Sequence, residues 1–442
     1  METHSDENHC LKMRPMARIW TLVTACLFAS GFGALHAQTL EVTPNTVLCD
    51  ETVAIHATGL QPNEIVVLQA GLVDGKGHRW ASQAEFRADA QGTVDASHQA
   101  PVKGSYDEVS AMGLIWSMKP EEKHVERYAF PRDLGAQIID FRLVVNGKQV
   151  SSAELEQKTV ADGVHQIKID GQLHGVLFVP GSNGRYPGVL VVGGSEGGIP
   201  IQKAAWLASH GFAALALAYF RYEDLPPDLE AIPLEYFGRA LSWMMQRPEI
   251  LPDRIAVVGT SRGGELALQL GSMYPAITAV VAYVPASVRY AACCGNTRVP
   301  YAWTWHGQPL SYYSPRGMGV PDPAAALGAS IAVEHMHGPV LLISGGDDGV
   351  WPSTQMTDAI VGRLKGAHFS YPIEDLKYPH AGHLAGLPAI VPAWHGSVRQ
   401  PVSGALMDLG GTAKGDAQSS LDAIPKVLEF LRTNLEANAR AH

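Results

Sequence analysis

"VVGTSRGGELALQL", Val257–Leu270, sets one serine, Ser261, between glycines at the junction of two unlike segments. Upstream, Ile255–Val258 is a short apolar run of the kind that forms a buried strand; downstream, Gly264–Leu270 is made of helix-forming residues. Gly-x-Ser-x-Gly at such a junction predicts a tight strand-to-helix turn. Glycines relieve the crowded backbone, and the serine is presented at the top of the sheet. A serine so placed is a candidate nucleophile. Its hydroxyl is weakly reactive alone and needs a base to take its proton.

The partners are expected downstream, in the order Ser, Asp, His. "ISGGDDGVWP" (343–352) ends a strand-like run and supplies two acids, Asp347 and Asp348. Asp348 is the favoured acid, with Asp347 the alternative. "YPHAGHLAG" (378–386) supplies His380 and His383. His383 follows the small pair Ala381–Gly382 and is the expected base, with His380 at the rim. Two histidines three apart, with no third ligand, make poor zinc ligands, and "HMH" at 335–337 is weaker still. The chemistry requires no metal or redox cofactor. The oxyanion formed during acyl transfer needs two backbone N–H donors. One is Arg262, the residue after the nucleophile. The other comes from "GGSEGG" (193–198), from Gly194 or Ser195.

Farther out, short apolar strands alternate with helices from about Asp162 onward. "YPGVLVVGG", "FAALALAYF", "RIAVVGT", "AITAVVAYV" and "PVLLISGG" are strand-like, with "HFSYPI" as the last. "IQKAAWLASHG", "PLEYFGRALSWMMQRP" and "TQMTDAIVGRLKG" are helical; the second places Leu234, Phe237, Leu241 and Met244 on one face. Asp416 is expected to cap a final helix. Strands apolar on both faces imply a parallel sheet covered by helices on both sides. Residues 285–338 show little periodicity and are expected to form a lid or pocket wall. Before all this, Thr39 to about Arg142 alternates in short strands separated by "QPN", "DGKG" and "DAQG", which predicts a β-sandwich.

The first 37 residues read as an export signal. Lys12, Arg14 and Arg18 precede the apolar "IWTLVTACLFASGFGAL", and "ALHAQ" offers cleavage after Ala37. A lipoprotein site at Cys26 and an uncleaved anchor are the alternatives. A periplasmic or secreted protein is expected, with no stable membrane span in the mature chain. The expected division is therefore 1–37 signal peptide, 38–150 N-terminal β-sandwich and 151–442 catalytic domain. Cys49, Cys293 and Cys294 would remain, an odd number, and free buried thiols are expected. The 442 residues carry a net charge of −10 and no basic run interleaved with aromatics, which excludes a nucleic-acid partner.

The chain resembles the acyl-CoA thioesterases and bile acid-CoA:amino acid N-acyltransferases. In the first part the resemblance rests on "VTPNTVLCDETVAIHATGLQPNE", "RWASQAEFRADAQGTVD" and "GSYDEVSAMGLIWSM". In the second it rests on "AYFRYEDLPPDLEAIPLEYF", "GTSRGGELAL", "AWTWHGQPL", "SGGDDGVWPS" and "AGHL". It implies an all-β, immunoglobulin-like sandwich followed by an α/β-hydrolase domain, with Ser261, Asp348 and His383 as its triad. Family members that conjugate amino acids carry cysteine at the Ser261 position, so serine points the acyl group toward water. The expected activity is serine hydrolysis of a small-molecule acyl thioester or ester, in fatty acid and acyl-CoA metabolism. An acyltransferase using an amine acceptor and an exported carboxylesterase not using CoA are the alternatives. An exported binding protein with a vestigial site is a third.

Overall fold

The computed structural model of the protein describes residues 37–169, 171–181, 183–314, 319–393 and 396–436. The expected signal segment, residues 1–37, lies outside the described residues except for Ala37.

The C-terminal part is organised by one eight-stranded sheet. Its strands are β1 (His165–Lys168), β2 (His174–Val179), β3 (Tyr186–Val192), β4 (Ala213–Ala218), β5 (Ile250–Thr260), β6 (Ile277–Tyr283), β7 (Val340–Gly345) and β8 (Ile373–Tyr378), in the order β1-β2-β4-β3-β5-β6-β7-β8. "HQIKIDGQLHGVLFVP" forms the antiparallel pair β1–β2, and β2 pairs antiparallel with β4. Every pairing from β4 onward is parallel. The apolar runs segregate by alternation, because successive side chains on a strand point to opposite faces. Val189, Val191, Ala214, Ala216, Ala256 and Val258 face one side, toward α1 (Ile201–Ser209) and α5 (Ala413–Glu436). Leu190, Val192, Leu215, Leu217 and Val257 face the other, toward α2 (Glu235–Met245), α3 (Arg262–Met273) and α4 (Ser353–Gly366). The expected face of α2 is buried as read: Leu234, Phe237, Leu241 and Met244 are all in the core.

Two sequence expectations shift. The last strand is Ile373–Tyr378, "IEDLKY", rather than "HFSYPI". It lies at the sheet edge with half-buried residues, so its polar sequence lacks the apolar run that marks the inner strands. Asp416 lies in the first turn of α5, yet its carboxylate accepts the Gly382 N–H at 2.8 Å, across from the helix.

Upstream of β1 the chain forms a three-stranded sheet (Thr39–Thr43, Ala54–Thr58, Val94–Asp95) and a seven-stranded one. The central strands of the larger sheet are Gln137–Val145, Ile65–Val73 and Arg79–Arg87, paired antiparallel. Alternate residues Val66, Leu68, Ala70, Leu72, Trp80, Ala84, Phe86, Ile139, Phe141 and Leu143 point inward. Strand Lys148–Lys158 of this sheet runs through position 150. The core of these sheets continues into α1 and α5 without a break. Asp50 fastens the junction, accepting the Trp206 indole N–H at 2.9 Å and meeting His210 Nε2 at 2.8 Å.

Candidate active site

Ser261 occupies the single residue between the end of β5 and the start of α3, with φ 58° and ψ −121°. A side chain in this left-handed conformation is strained. The turn explains its glycines: a Cβ at Gly259 would collide with the Gly263 carbonyl, and one at Gly263 with the Gly193 carbonyl. The Ser261 N–H is tied to Tyr283 O at 2.9 Å, which joins the turn to the end of β6.

The Ser261 hydroxyl lies 2.8 Å from His383 Nε2, and His383 Nδ1 lies 3.0 and 2.9 Å from the two Asp348 oxygens. Ser261 and His383 are only 8% and 6% exposed. Asp348 follows β7 and is locked by accepting the N–H groups of Val350 (2.9 Å) and Trp351 (3.2 Å). Asp347 and His380 are not part of this line. They face each other at 3.6 Å on the surface, 55% and 79% exposed. The Trp351 ring stands edge-on to His383, centroids 5.2 Å apart, and stacks flat on Tyr290 at 5.4 Å. Tyr290 comes from the aperiodic 285–338 segment, expected as a lid or pocket wall, and reaches His383 through Trp351.

The residues expected as oxyanion donors lie near Ser261: Arg262 follows it in the chain, and a Cβ built on Gly194 would stand 3.5 Å from the Ser261 Cβ. Arg262 is the first residue of α3, where backbone N–H groups have no partner within the helix. Its side chain turns inward instead, donating to Tyr290 O (3.1 Å) and pairing with buried Glu265 (3.4 Å). Glu265 also accepts from Trp303 Nε1 at 2.7 Å and the Tyr290 N–H at 3.2 Å. Burial pushes its carboxyl above the usual range. On the other side, the Gly194 N–H donates to Glu196 Oε1 at 3.0 Å, while the Ser195 carbonyl accepts from Gln400 at 2.8 Å.

Four groups escaped the sequence reading as site residues: Glu196, Glu265, Lys203 and Asp416, the last expected only as a helix cap. The Lys203 ammonium donates to Thr260 Oγ1 and lies 4.0 Å over the Tyr283 ring. Burial lowers its pKa to about 7, against the charge of Glu196. Burial raises Asp416 to about 7, and the Asp348 charge adds to the effect. None of the four lies in a recognisable spacing, so only the fold brings them to the site. Cys293 and Cys294, expected as free thiols, are joined in a disulfide, while Cys49 is free and buried. Adjacent cysteines give no spacing signal for pairing.

Among the described residues, one cluster could hold a metal, formed by His174, Glu223 and Asp224. Both ring nitrogens of His174 are already engaged there, with Glu223 at 2.8 Å and Asp224 at 3.1 Å. No helix among those residues is long and apolar enough to cross a membrane.

The strand order, with its antiparallel start and its serine at the β5–α3 turn, defines an α/β hydrolase. The family description "Acyl-CoA thioester hydrolase/BAAT N-terminal region" matches residues 50–171, and "BAAT / Acyl-CoA thioester hydrolase C terminal" matches 232–297 and 318–437. A human bile acid-CoA:amino acid N-acyltransferase is 34% identical, covering 78% of this chain and 86% of its own. A mouse peroxisomal succinyl-coenzyme A thioesterase is 30% identical over 90% of this chain and 97% of its own. A rat mitochondrial acyl-coenzyme A thioesterase 2 is 30% identical over 91% and 90%. The chain belongs to this acyl-CoA thioester hydrolase and N-acyltransferase family and is an enzyme of the thioester and ester hydrolase class. Among solved structures, an α/β-hydrolase enzyme from a Medee basin deep-sea metagenome library aligns over 62% of this chain and 100% of its own, at 17% identity and TM-score 0.40.

These relatives overturn the expected periplasmic or secreted location with cleavage after Ala37, since those that state an address are peroxisomal and mitochondrial. The segment behind that expectation is a short apolar run after three positive residues, and such runs are not specific to exported chains.

Proposed function

We propose that the protein hydrolyses acyl-CoA thioesters through an acyl-enzyme on Ser261, in fatty acid and acyl-CoA metabolism. Ser261 attacks the thioester carbonyl as His383 takes its proton, and the thiol departs with that proton. His383 then activates water, which releases the acid and restores the serine. Asp348 orients His383 and stabilises its cationic form without taking a proton. The amides of Arg262 and of Gly194 or Ser195 hold the oxyanion. The observation that carries this reading is the unbroken hydrogen-bonded line from Ser261 through His383 to buried Asp348. Ser261→Ala abolishes turnover of acyl-CoA and p-nitrophenyl esters, with unchanged far-UV circular dichroism. Turnover near the wild-type rate by that variant overturns the mechanism.

The amine-acceptor reading is favoured by the N-acyltransferase relative. An amide product formed when glycine or taurine is offered with an acyl-CoA would establish it. The N-terminal sheets form, in this reading, a β-sandwich whose boundary falls after Lys158 rather than at 150. Both the strand crossing 150 and the N-terminal family match extending to 171 support that placement.

A further inference from the structure

The Gly194 amide is already occupied. Glu196 folds back so that Oε1 accepts the Gly194 N–H at 3.0 Å. A Cβ built on Gly194 would stand 2.7 Å from Glu196 Oε2 and 3.5 Å from Ser261 Cβ. The carboxylate therefore lies against the space beside the nucleophile where an acyl carbonyl oxygen would dock. We propose that Glu196 gates the oxyanion hole: in the resting enzyme its carboxylate takes the place of the substrate oxygen, and substrate binds only as Glu196 leaves. The proposal rests on Ser261 as nucleophile and Gly194 as donor.

The loop is built to release it. The Gly197 N–H returns to Gly194 O at 3.3 Å, closing a turn around Ser195 and Glu196. Gly197 and Gly198 follow with φ of 65° and 74°, conformations open to glycine and rare for other residues. A destination stands beside the loop. The Arg221 guanidinium reaches the Glu196 main-chain oxygen at 3.4 Å, is exposed, and makes no ion pair among the described residues. The displaced carboxylate pairs with Arg221, while the substrate oxygen takes the freed amide. A hydrogen bond to a charged acceptor is roughly twice as strong as a neutral one, so the carboxylate is a firm competitor for that amide.

The test is the labelling rate of Ser261 by a neutral fluorophosphonate, whose phosphoryl oxygen needs the same amides. Glu196→Ala speeds labelling at least tenfold and lowers KM for a short p-nitrophenyl ester. Glu196→Gln keeps the side-chain shape with a weaker acceptor and falls between Ala and wild type. Equal rates for Gln and Ala would instead assign Glu196 a purely electrostatic role toward Lys203 and overturn the gate. So would a folded Glu196→Ala that labels no faster than wild type. Arg221→Ala slows labelling about threefold in the wild-type background and has no effect in the Glu196→Ala background. Slowing that persists there removes Arg221 as the receiver. A wild-type protein that takes no label at all overturns the nucleophile reading itself, and the gate with it.

Discussion

Asp416 is a carboxyl group held out of water beside a second one. It supports the loop that carries His383 by accepting the Gly382 N–H, and burial raises its pKa to about 7, aided by the Asp348 charge. The folded protein therefore holds this proton more tightly than the unfolded chain, whose carboxyl titrates at its ordinary value. Below that value both states are protonated and the group has no effect. As pH rises toward 7 the unfolded state ionises first, so Asp416 progressively withdraws stability, and the loss is complete above its folded pKa. Asp416→Asn keeps the acceptor and removes the titration. Thermal melts are expected to show the variant above wild type at pH 8, with the gap closing toward pH 4. A gap independent of pH would show that Asp416 does not titrate in this window. The neighbouring choice between Asp347 and Asp348 shows how far sequence reaches at this scale. Both follow the same strand, and only the turn, which buries one and exposes the other, separates them.

At the scale of elements, helix α3, which begins just after Ser261, also anchors the segment beside the candidate site. From the first turns of α3, Arg262 and Glu265 reach into the 285–338 segment, fixing Tyr290 and Trp303. Tyr290 then carries Trp351, which packs on His383. Removing one partner of a buried pair leaves the other charged and unpaired, at a cost of about 3–5 kcal/mol. Glu265→Ala is therefore expected to lower the urea-unfolding free energy by about that much, and a loss under about 1 kcal/mol would contradict the anchoring role. The regular elements were legible because alternation and apolar runs are local signals: "HRWASQAEFRAD" contains Arg79–Arg87, and "IQKAAWLASHG" contains Ile201–Ser209. The residues proposed as the triad were legible because each follows a strand-like run, in the order Ser, Asp, His. Glu196 stood in the quoted "GGSEGG" but gave no sign of folding back, because that depends on a turn closed by Gly197. Edge strand β8 was misplaced for the reason that its residues are only partly buried.

Across the whole molecule, one apolar cluster runs from Leu40 and Phe86 through Trp206 to Leu431, so the N-terminal sheets and the hydrolase sheet share a core. Asp50, Gln157 and Cys49 add polar ties across the junction; the Cys49 carbonyl accepts the Ile390 N–H at 2.6 Å. Parts that share a core lose it together, so calorimetry on the full chain is expected to give a single cooperative transition. Two resolved transitions would show that the sheets fold apart. The backbone at Ser261 bears on that same melting temperature. Strain of its kind costs about 1–3 kcal/mol, more than the roughly 0.5–1 kcal/mol that glycine loses through its freer unfolded chain. Ser261→Gly and Ser261→Ala both lack the hydroxyl, but only glycine relaxes the turn, so the glycine variant is expected to melt higher. An equal or lower Tm would remove the strain argument. The position proposed to perform the chemistry is then one the fold would surrender at a gain. An unselected population of sequences would drift there toward a sturdier, inert protein.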